Sequence, residues 1–469
     1  MAKPFVPVQR IDVDLWGEHI GSVSMDDATG FYAFAYTPAF CQSDVQPSPL
    51  VMPTEAGGSY LFNALPELTF KRLPAMLSDA LPDDFGNALI DRYMAEQGIP
   101  KDAITPLDRL AYVGQRAMGA LTFRPPRGPH FEIPTALDLN DLVLEARCAV
   151  QGSFEDDRRT HDVLRHILDV GTSAGGARAK AVIAWNPTTN EIVSGQAAAA
   201  HGYEHWLLKF DGVGPDAELG GTAHYGRIEY AYHLMAREAG IDMMPCRLQL
   251  EHGRAHFMTR RFDREAPFVR HHMQTLCAMG HYDYRLRARH SYNALFMVIE
   301  QLRMAYESKE EAFRRMVFNA LAQNCDDHTK NFSFVLRQGE KAWRLAPAYD
   351  VTHAHNPQGA WTHQHLMSIN GKFKDFDDKD FVAVADRFGI GSSKAVIAKV
   401  RHALRQWPRF GREAGLDDAR IDAIGRDIEQ ATREPCTVSV GPQGQGASEV
   451  EAANPEQAGI DQTSGPSAG

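Results

Sequence analysis

The sequence predicts an α+β fold in which a mixed, strand-rich N-terminal part precedes a helical C-terminal part. Three observations carry this. Short apolar–polar alternations bounded by turn residues occupy the start of the chain and recur between about 180 and 260. Helical three- and four-residue spacing dominates 288–324 and 375–433. The strands between about 180 and 260 read as a small antiparallel sheet carrying one helix.

In order along the chain, VDLWGEHIGSVSM reads as a hairpin turning at Gly17–Glu18, and FYAFAY follows as a third strand. The region 67–97 turns helical, with LPDDFGNALIDRYMAEQGI spaced for one apolar face. Asp83 or Asp84 caps that helix and Gly98 ends it. RLAYVGQRAMGALTFRP closes on a short strand, and PPRGPHFEIP is a connector that ends a first region at about 130. LDLNDLVLEARCAV and THDVLRHILDV predict helices over 137–170, followed by the glycine-rich loop GTSAGGARAK. AKAVIAW and HWLLKF predict strands around the turn NPTTNE, and 226–240 predicts an amphipathic helix ending at Gly240. CRLQLEHGRAHFMTRRFDR reads as two strands turning at His252–Gly253, giving a small antiparallel sheet that carries one helix. The last 35 residues lack large apolar side chains and predict disorder.

Composition narrows the function classes. The chain has 469 residues, 44% hydrophobic and 23% charged, as ordinary globular proteins do. No apolar run approaches a membrane span, and the N-terminus has no secretory core, so a cytoplasmic protein without membrane contact is expected. Six scattered cysteines without a CxxC pair argue against a disulfide framework and a cysteine zinc site. The net charge of −11 disfavours a dedicated DNA-binding chain, although DNA contact through a partner stays open.

The stretch NCDDHTKNFSF carries the most chemistry. It joins a helix, EEAFRRMVFNALAQN, to a strand, FSFVLR. Asp326 and Asn331 lie five residues apart on the joining loop, the spacing of a protein-kinase catalytic loop. There a carboxylate reaches the acceptor hydroxyl while an amide oxygen on the same loop reaches magnesium. A hairpin of FSFVLR with AWRLAPAYD, turning at 338–340, would bring Asp350 to Asn331 as a second metal-holding group. Polar residues this dense between apolar segments are costly unless they act.

Two further elements fit phosphate binding. Gly171, Gly175 and Gly176 allow close backbone approach, and Lys180 leaves the loop on a strand. A Walker A reading fails because Ala177 and Arg178 stand where lysine and a hydroxyl are required. Gly171-Thr-Ser173-Ala-Gly175 matches a serine-hydrolase elbow letter for letter, but with helix before and strand after, the reverse of that motif. Lys209 ends an apolar strand; alone it would snorkel to an edge, but beside the other elements a phosphate role is favoured, with Glu229 or Glu218 as ion-pair partner. His271, His272 and His281 read as surface or supporting residues rather than zinc ligands. His353, His355, His363 and His365 read as members of a solvated loop after Asp350.

GTSAGGARAK, LLKFD, MTRRFDRE, CDDHTKNFSF and LAPAYDV, in that order, resemble the HipA family of serine/threonine kinase toxins. LWGEHIGSV, LPDDFGNALIDRY and VGQRAMGALTF are similar to that family's N-terminal subdomain, so the resemblance covers about 10–425. It implies a protein-kinase-like, two-lobed fold: an N-terminal subdomain over 1–130, a glycine-loop and small-sheet part over 131–265, an all-helical C-lobe over 266–434, and the tail 435–469. It implies ATP and Mg2+ as cofactors, with Asp326 as catalytic base and Asn331 and Asp350 holding the metal. His328, Lys330 and Tyr349 accompany them at the nucleotide. Gly175, Gly176, Ala177, Arg178, Ala179 and Lys180 cover the phosphates, and Lys209 contacts them. Arg260, Arg261 and Phe262 form the hinge at adenine, and Asp263 approaches the ribose. Ser173 falls where the family's autophosphorylated serine lies, although Gly-Gly-Ala-Arg-Ala-Lys replaces a Gln-Glu-containing loop. The resemblance further implies a HipB-like DNA-binding antitoxin and a protein substrate such as an aminoacyl-tRNA synthetase. A small-molecule kinase of the same fold and a non-catalytic binding module are the competing readings.

Overall fold

The computed structural model describes residues 5–128, 142, 146, 179–196, 201–211, 213, 224–265 and 269–433. The expected helices over 137–170 apart from Leu142 and Ala146, the loop residues Ser173 to Arg178, Glu218 and the tail lie outside these.

The first region is a five-stranded sheet. β1 (Arg10–Leu15) and β2 (Glu18–Asp26) form the expected hairpin, but it turns one residue earlier than expected, at Trp16 and Gly17, both at positive φ (54° and 83°). That geometry suits a two-residue turn between twisted strands. β3 (Phe31–Tyr36), β4 (Ser59–Tyr60) and β5 (Leu121–Arg124) complete the order β4-β3-β2-β1-β5. Short helices α1 (Glu67–Phe70) and α2 (Ala75–Ser78) precede α3 (Asp84–Glu96) and α4 (Pro106–Val113). Asp83, not Asp84, caps α3, its carboxylate accepting from Gly86 N.

The second sheet is antiparallel throughout. β6 (Lys180–Trp185), β7 (Ile192–Ser194), β8 (Glu204–Lys209), β9 (Cys246–Glu251) and β10 (Arg254–Arg260) take the order β7-β6-β8-β10-β9. Phe85, Leu89, Ile90 and Met94 of α3 share a core with Ala181, Ile183, Leu208 and Met258 of this sheet. The first region thereby reaches the site. α5 (Tyr225–Glu238) is the predicted amphipathic helix. It packs so close to β10 that a Cβ on Gly226 would lie 2.0 Å from the Ala255 carbonyl oxygen.

The C-terminal part is helical but not purely so. After the short pair β11 (Arg264–Glu265) and β12 (Val269–Arg270), β13 (His272–Thr275) leads into α6 (Leu276–Gly280). β14 (His290–Ser291), α7 (Tyr292–Gln301) and α8 (Tyr306–Leu321) follow. β15 (Ser333–Leu336) and β16 (Trp343–Leu345) form the predicted hairpin, Leu336 opposite Trp343, and β13 adds an unforeseen third strand. β17 (Met367–Ser368) pairs parallel with β14. α9 (Asp378–Phe388), α10 (Ser393–Leu404), α11 (Trp407–Glu413) and α12 (Asp418–Thr432) close the described chain around the largest core. Among the described residues no helix is long and apolar enough to cross a membrane, and Cys41, Cys246, Cys277 and Cys325 are free thiols.

Candidate active site

The antiparallel register sets Lys180 of β6 directly opposite Lys209 of β8. Like charges facing each other across a ladder repel, so each needs an acid. Lys180, 2% exposed, has Asp83 Oδ2 at 3.4 Å. Lys209 is gripped twice, by Glu229 Oε1 of α5 at 2.5 Å and by Asp350. A strand lysine paired with a helix glutamate is the arrangement by which protein kinases present a cation to phosphates. Burial opposes the charge on Lys209, but Asp350 and Glu229 outweigh it and hold the ammonium well above its ordinary pKa. Burial likewise opposes the Asp350 carboxylate, and the Lys209 and Lys180 ammoniums hold it below its ordinary value. Asp350 has a φ of 53°, a left-handed backbone that an L-residue other than Asn or Gly adopts at a cost.

The predicted hairpin delivers Asp350 and Asn331 to one cavity, also lined by Asn319, Asn324, Asp327 and Tyr349. Asn331 donates Nδ2 to the Asp326 carbonyl at 2.7 Å, which closes the 326–331 loop on itself and leaves its amide oxygen as the acceptor. The Asp326 side chain keeps 39% of its exposure. Its carboxyl is nonetheless pushed upward, mainly by burial, against the attraction of His328 and a hydrogen bond from Trp361. Trp361 Nε1 donates to Asp326 Oδ1 at 2.7 Å, and His328 Nε2 lies 3.8 Å from the same oxygen.

Lys330 lies 5.1 Å from the Tyr284 ring centroid, and Asp79 is the carboxylate that most offsets the cost of its burial. Tyr349 OH donates to the Lys330 carbonyl at 2.7 Å and meets Ser333 Oγ at 2.5 Å. Its ring stacks on Phe262 at 6.0 Å, tying the hairpin to the expected hinge. Arg260 faces Glu204 at 3.5 Å, and the Arg261 backbone N–H donates to the His205 carbonyl. Ala179 and Lys180 are buried at the end of the glycine loop; Gly175, Gly176, Ala177, Arg178 and Ser173 lie outside the described residues.

Asp263 departs from the ribose role expected of it. It is fully buried, and its carboxylate accepts from Gly119 N (2.7 Å), Arg261 Nε and Nη2 (2.8 and 2.6 Å) and Arg264 Nη1 (2.6 Å). Four donors on two oxygens leave little acceptor capacity for a sugar hydroxyl. The guanidinium of Arg261 is consumed in the same cluster. This cluster fastens the first region, through Gly119, to the second sheet.

Of the surface or supporting roles expected for His271 and His272, exposures of 4% and 1% leave the supporting one, whereas His365 departs from the solvated loop expected of it. His365 is 2% exposed, its Nδ1 2.9 Å from Asp327 Oδ2 and its Nε2 3.6 Å from Cys325 Sγ. Asp327 also accepts from Leu366 N at 2.8 Å and from Tyr292 OH at 2.8 Å. Neighbouring carboxylates thus split roles: Asp326 stays partly exposed, while the buried Asp327 anchors the segment after Asp350. Asp83, Asp327 and Trp361 were not among the sequence candidates; a capping signal existed for Asp83, and none for the other two.

The HipA N-terminal domain family matches residues 11–124, and the HipA-like C-terminal domain family matches 172–431. No curated protein matches the chain. Among solved structures, HipA from the Shewanella oneidensis MR-1 toxin–antitoxin complex of HipA, HipB and operator DNA has 18% identity and a TM-score of 0.63, over 90% of this chain and 95% of that one. The Helicobacter pylori proinflammatory kinase CtkA gives 13% identity and a TM-score of 0.33, over 49% of this chain and 86% of that one. With both domain families matched in order over most of its length, the chain belongs to the HipA family.

Proposed function

We propose that the chain is an ATP- and Mg2+-dependent serine/threonine protein kinase acting as the toxin of a type II toxin–antitoxin pair. The observation that carries the reading is the charge chain Glu229–Lys209–Asp350 beside the closed loop of Asp326 and Asn331. Asn331 and Asp350 offer oxygen donors to one cavity, a donor set that suits magnesium, which when bound neutralises phosphate charge. Lys209 presents its ammonium to the phosphates, already oriented by Glu229. Asp326 accepts the proton of the substrate hydroxyl; Trp361 occupies one of its oxygens and so orients the other. Catalysis on this plan is mostly positioning and charge neutralisation.

The substrate is a protein, and by the family resemblance a translation factor such as an aminoacyl-tRNA synthetase. The partner is a HipB-like antitoxin that carries DNA contact, in keeping with the net charge of −11 here and with the composition of the Shewanella complex. Autophosphorylation at Ser173 would add charge to the glycine loop and switch the kinase off. The test is incubation of the purified chain with γ-labelled ATP and cell extract, followed by identification of the labelled protein. Asp326→Ala and Asp350→Ala should abolish label transfer and toxicity. Undiminished toxicity in both, without any label transfer by the wild type, would refute a kinase.

A further inference from the structure

Besides the Glu229–Lys209–Asp350 cluster, three side chains converge that the kinase reading leaves unused. His353 Nε2 lies 2.9 Å and His355 Nδ1 3.5 Å from Asp427 Oδ2. All three ligand atoms lie within 4.8 Å of one another, and no other group of three or more such residues occurs among the described residues. We propose that His353, His355 and Asp427 form a binding site for a divalent transition-metal ion, zinc in the first instance.

Backbone geometry prepares the two imidazoles. Ala354 is held on both sides: its N–H donates to the Gln323 carbonyl at 3.0 Å, and its carbonyl accepts from Cys325 N at 3.1 Å. This parallel bridge between Asn324 and Ala354 keeps 353–355 extended. Residues two apart on an extended segment project to the same side, so the spacing His-x-His presents both rings together. Asp427 comes from α12, between the buried Ile424 and Ile428 that seat this helix in the core. The ligand set is thus mounted on two anchored elements.

The spacing and chemistry agree with zinc. Bonds of about 2.0–2.1 Å to nitrogen and oxygen in a tetrahedron separate ligand atoms by about 3.3 Å. The two measured separations from Asp427 Oδ2, 2.9 and 3.5 Å, bracket that edge. Two imidazoles and one carboxylate with a fourth position for water form a common zinc donor set. Side-chain exposures of 14%, 20% and 33% leave an entry path. Magnesium prefers all-oxygen surroundings, so the ion expected here differs from the one expected at Asn331 and Asp350. A bound ion would clamp the segment that follows Asp350 to α12.

The full chain, stripped with a chelator, is titrated with zinc sulfate at neutral pH and followed by a competing chromophoric chelator and by thermal melting. The wild type should retain about one zinc per chain through gel filtration and melt higher with zinc. Asp427→Asn and His355→Ala should each weaken zinc by about 10- to 100-fold or more while leaving the metal-free melting point close to wild type. Asp350→Asn should bind zinc as the wild type does, which separates this site from the nucleotide site. Cobalt substitution should give the intense visible absorption of a four-coordinate ion, absent in Asp427→Asn. No stoichiometric zinc on the wild type, equal zinc on Asp427→Asn, or loss of zinc in Asp350→Asn alone would each overturn the assignment.

Discussion

Replacing Asp263 by asparagine separates a structural role from a nucleotide role at one atom's cost. The substitution keeps the volume and one carbonyl oxygen but removes the charge. In the wild type that charge is shared by the guanidiniums of Arg261 and Arg264, whose side chains are 2% and 10% exposed. Burial works against the Asp263 carboxylate, yet the two guanidiniums and the Gly119 N–H hold it well below the usual carboxylate range. With no solvent to screen the pair, removing the shared anion strands two buried cations and turns one accepting oxygen into a donor facing them. Breaking a buried ion pair from one side costs about 3–5 kcal/mol. Asp263→Asn should therefore lower the urea midpoint by that equivalent and loosen the join between the first region and the second sheet. ATP affinity, measured on folded protein by fluorescence of a nucleotide analogue, should stay at the wild-type level. An unchanged midpoint with a large loss of nucleotide affinity would refute the reasoning and restore the ribose contact.

Trp361→Phe removes the N–H at Asp326 while keeping most of the ring. A hydrogen bond to a carboxylate contributes about 1.5–3 kcal/mol, so label transfer should fall by about tenfold or more. That bond lowers the Asp326 pKa, so its loss should move the acid limb of the pH–rate profile to higher pH; an unmoved limb argues against the contact. His272, buried with Nε2 2.9 Å from the Pro47 carbonyl, is pushed from 6.5 down to about 4 by burial. The unfolded chain binds its proton first, so this contribution to stability is complete above pH 6.5 and lost as pH falls towards 4. His272→Gln should make denaturant stability fall less steeply across that window. Gly226→Ala puts a methyl against the Ala255 carbonyl and should lower stability by about 1–3 kcal/mol in thermal melts, because backbone must move to admit it.

Local features were legible in the sequence wherever one period or one turn decided them. The β1–β2 hairpin, α5 ending before Gly240, and the β15–β16 hairpin lie where alternation and turn residues put them. The last of these is why Asp326, Asn331 and Asp350 could be grouped: one short hairpin links Asn331 to Asp350, and a loop spacing of five links Asp326 to Asn331. The remaining site contacts depend on long-range packing. Asp83 and Lys180 meet because the apolar face of α3 docks on the second sheet, which no local pattern encodes. Trp361 and His365 belong to an irregular segment without period, and histidine's chemistry fits core and surface equally, so their burial could not be read. Asp263 follows two arginines in a motif-like run, and only its neighbours reveal which charge it serves.

The adjacent acids Asp326 and Asp327 have a consequence for anyone recombining this chain with its relatives. One carboxylate holds Trp361 and the other holds His365 and Leu366, so the 326–331 loop and the stretch 361–366 are two halves of one clasp. A chimera that imports the loop alone would bring Asp326 without its tryptophan and Asp327 without its backbone partner. A one-residue insertion ahead of the pair would carry Asp326 into the buried position that Asp327 holds and leave Trp361 without its acid. Crossover points therefore belong outside 325–366, and the block is to be inherited whole.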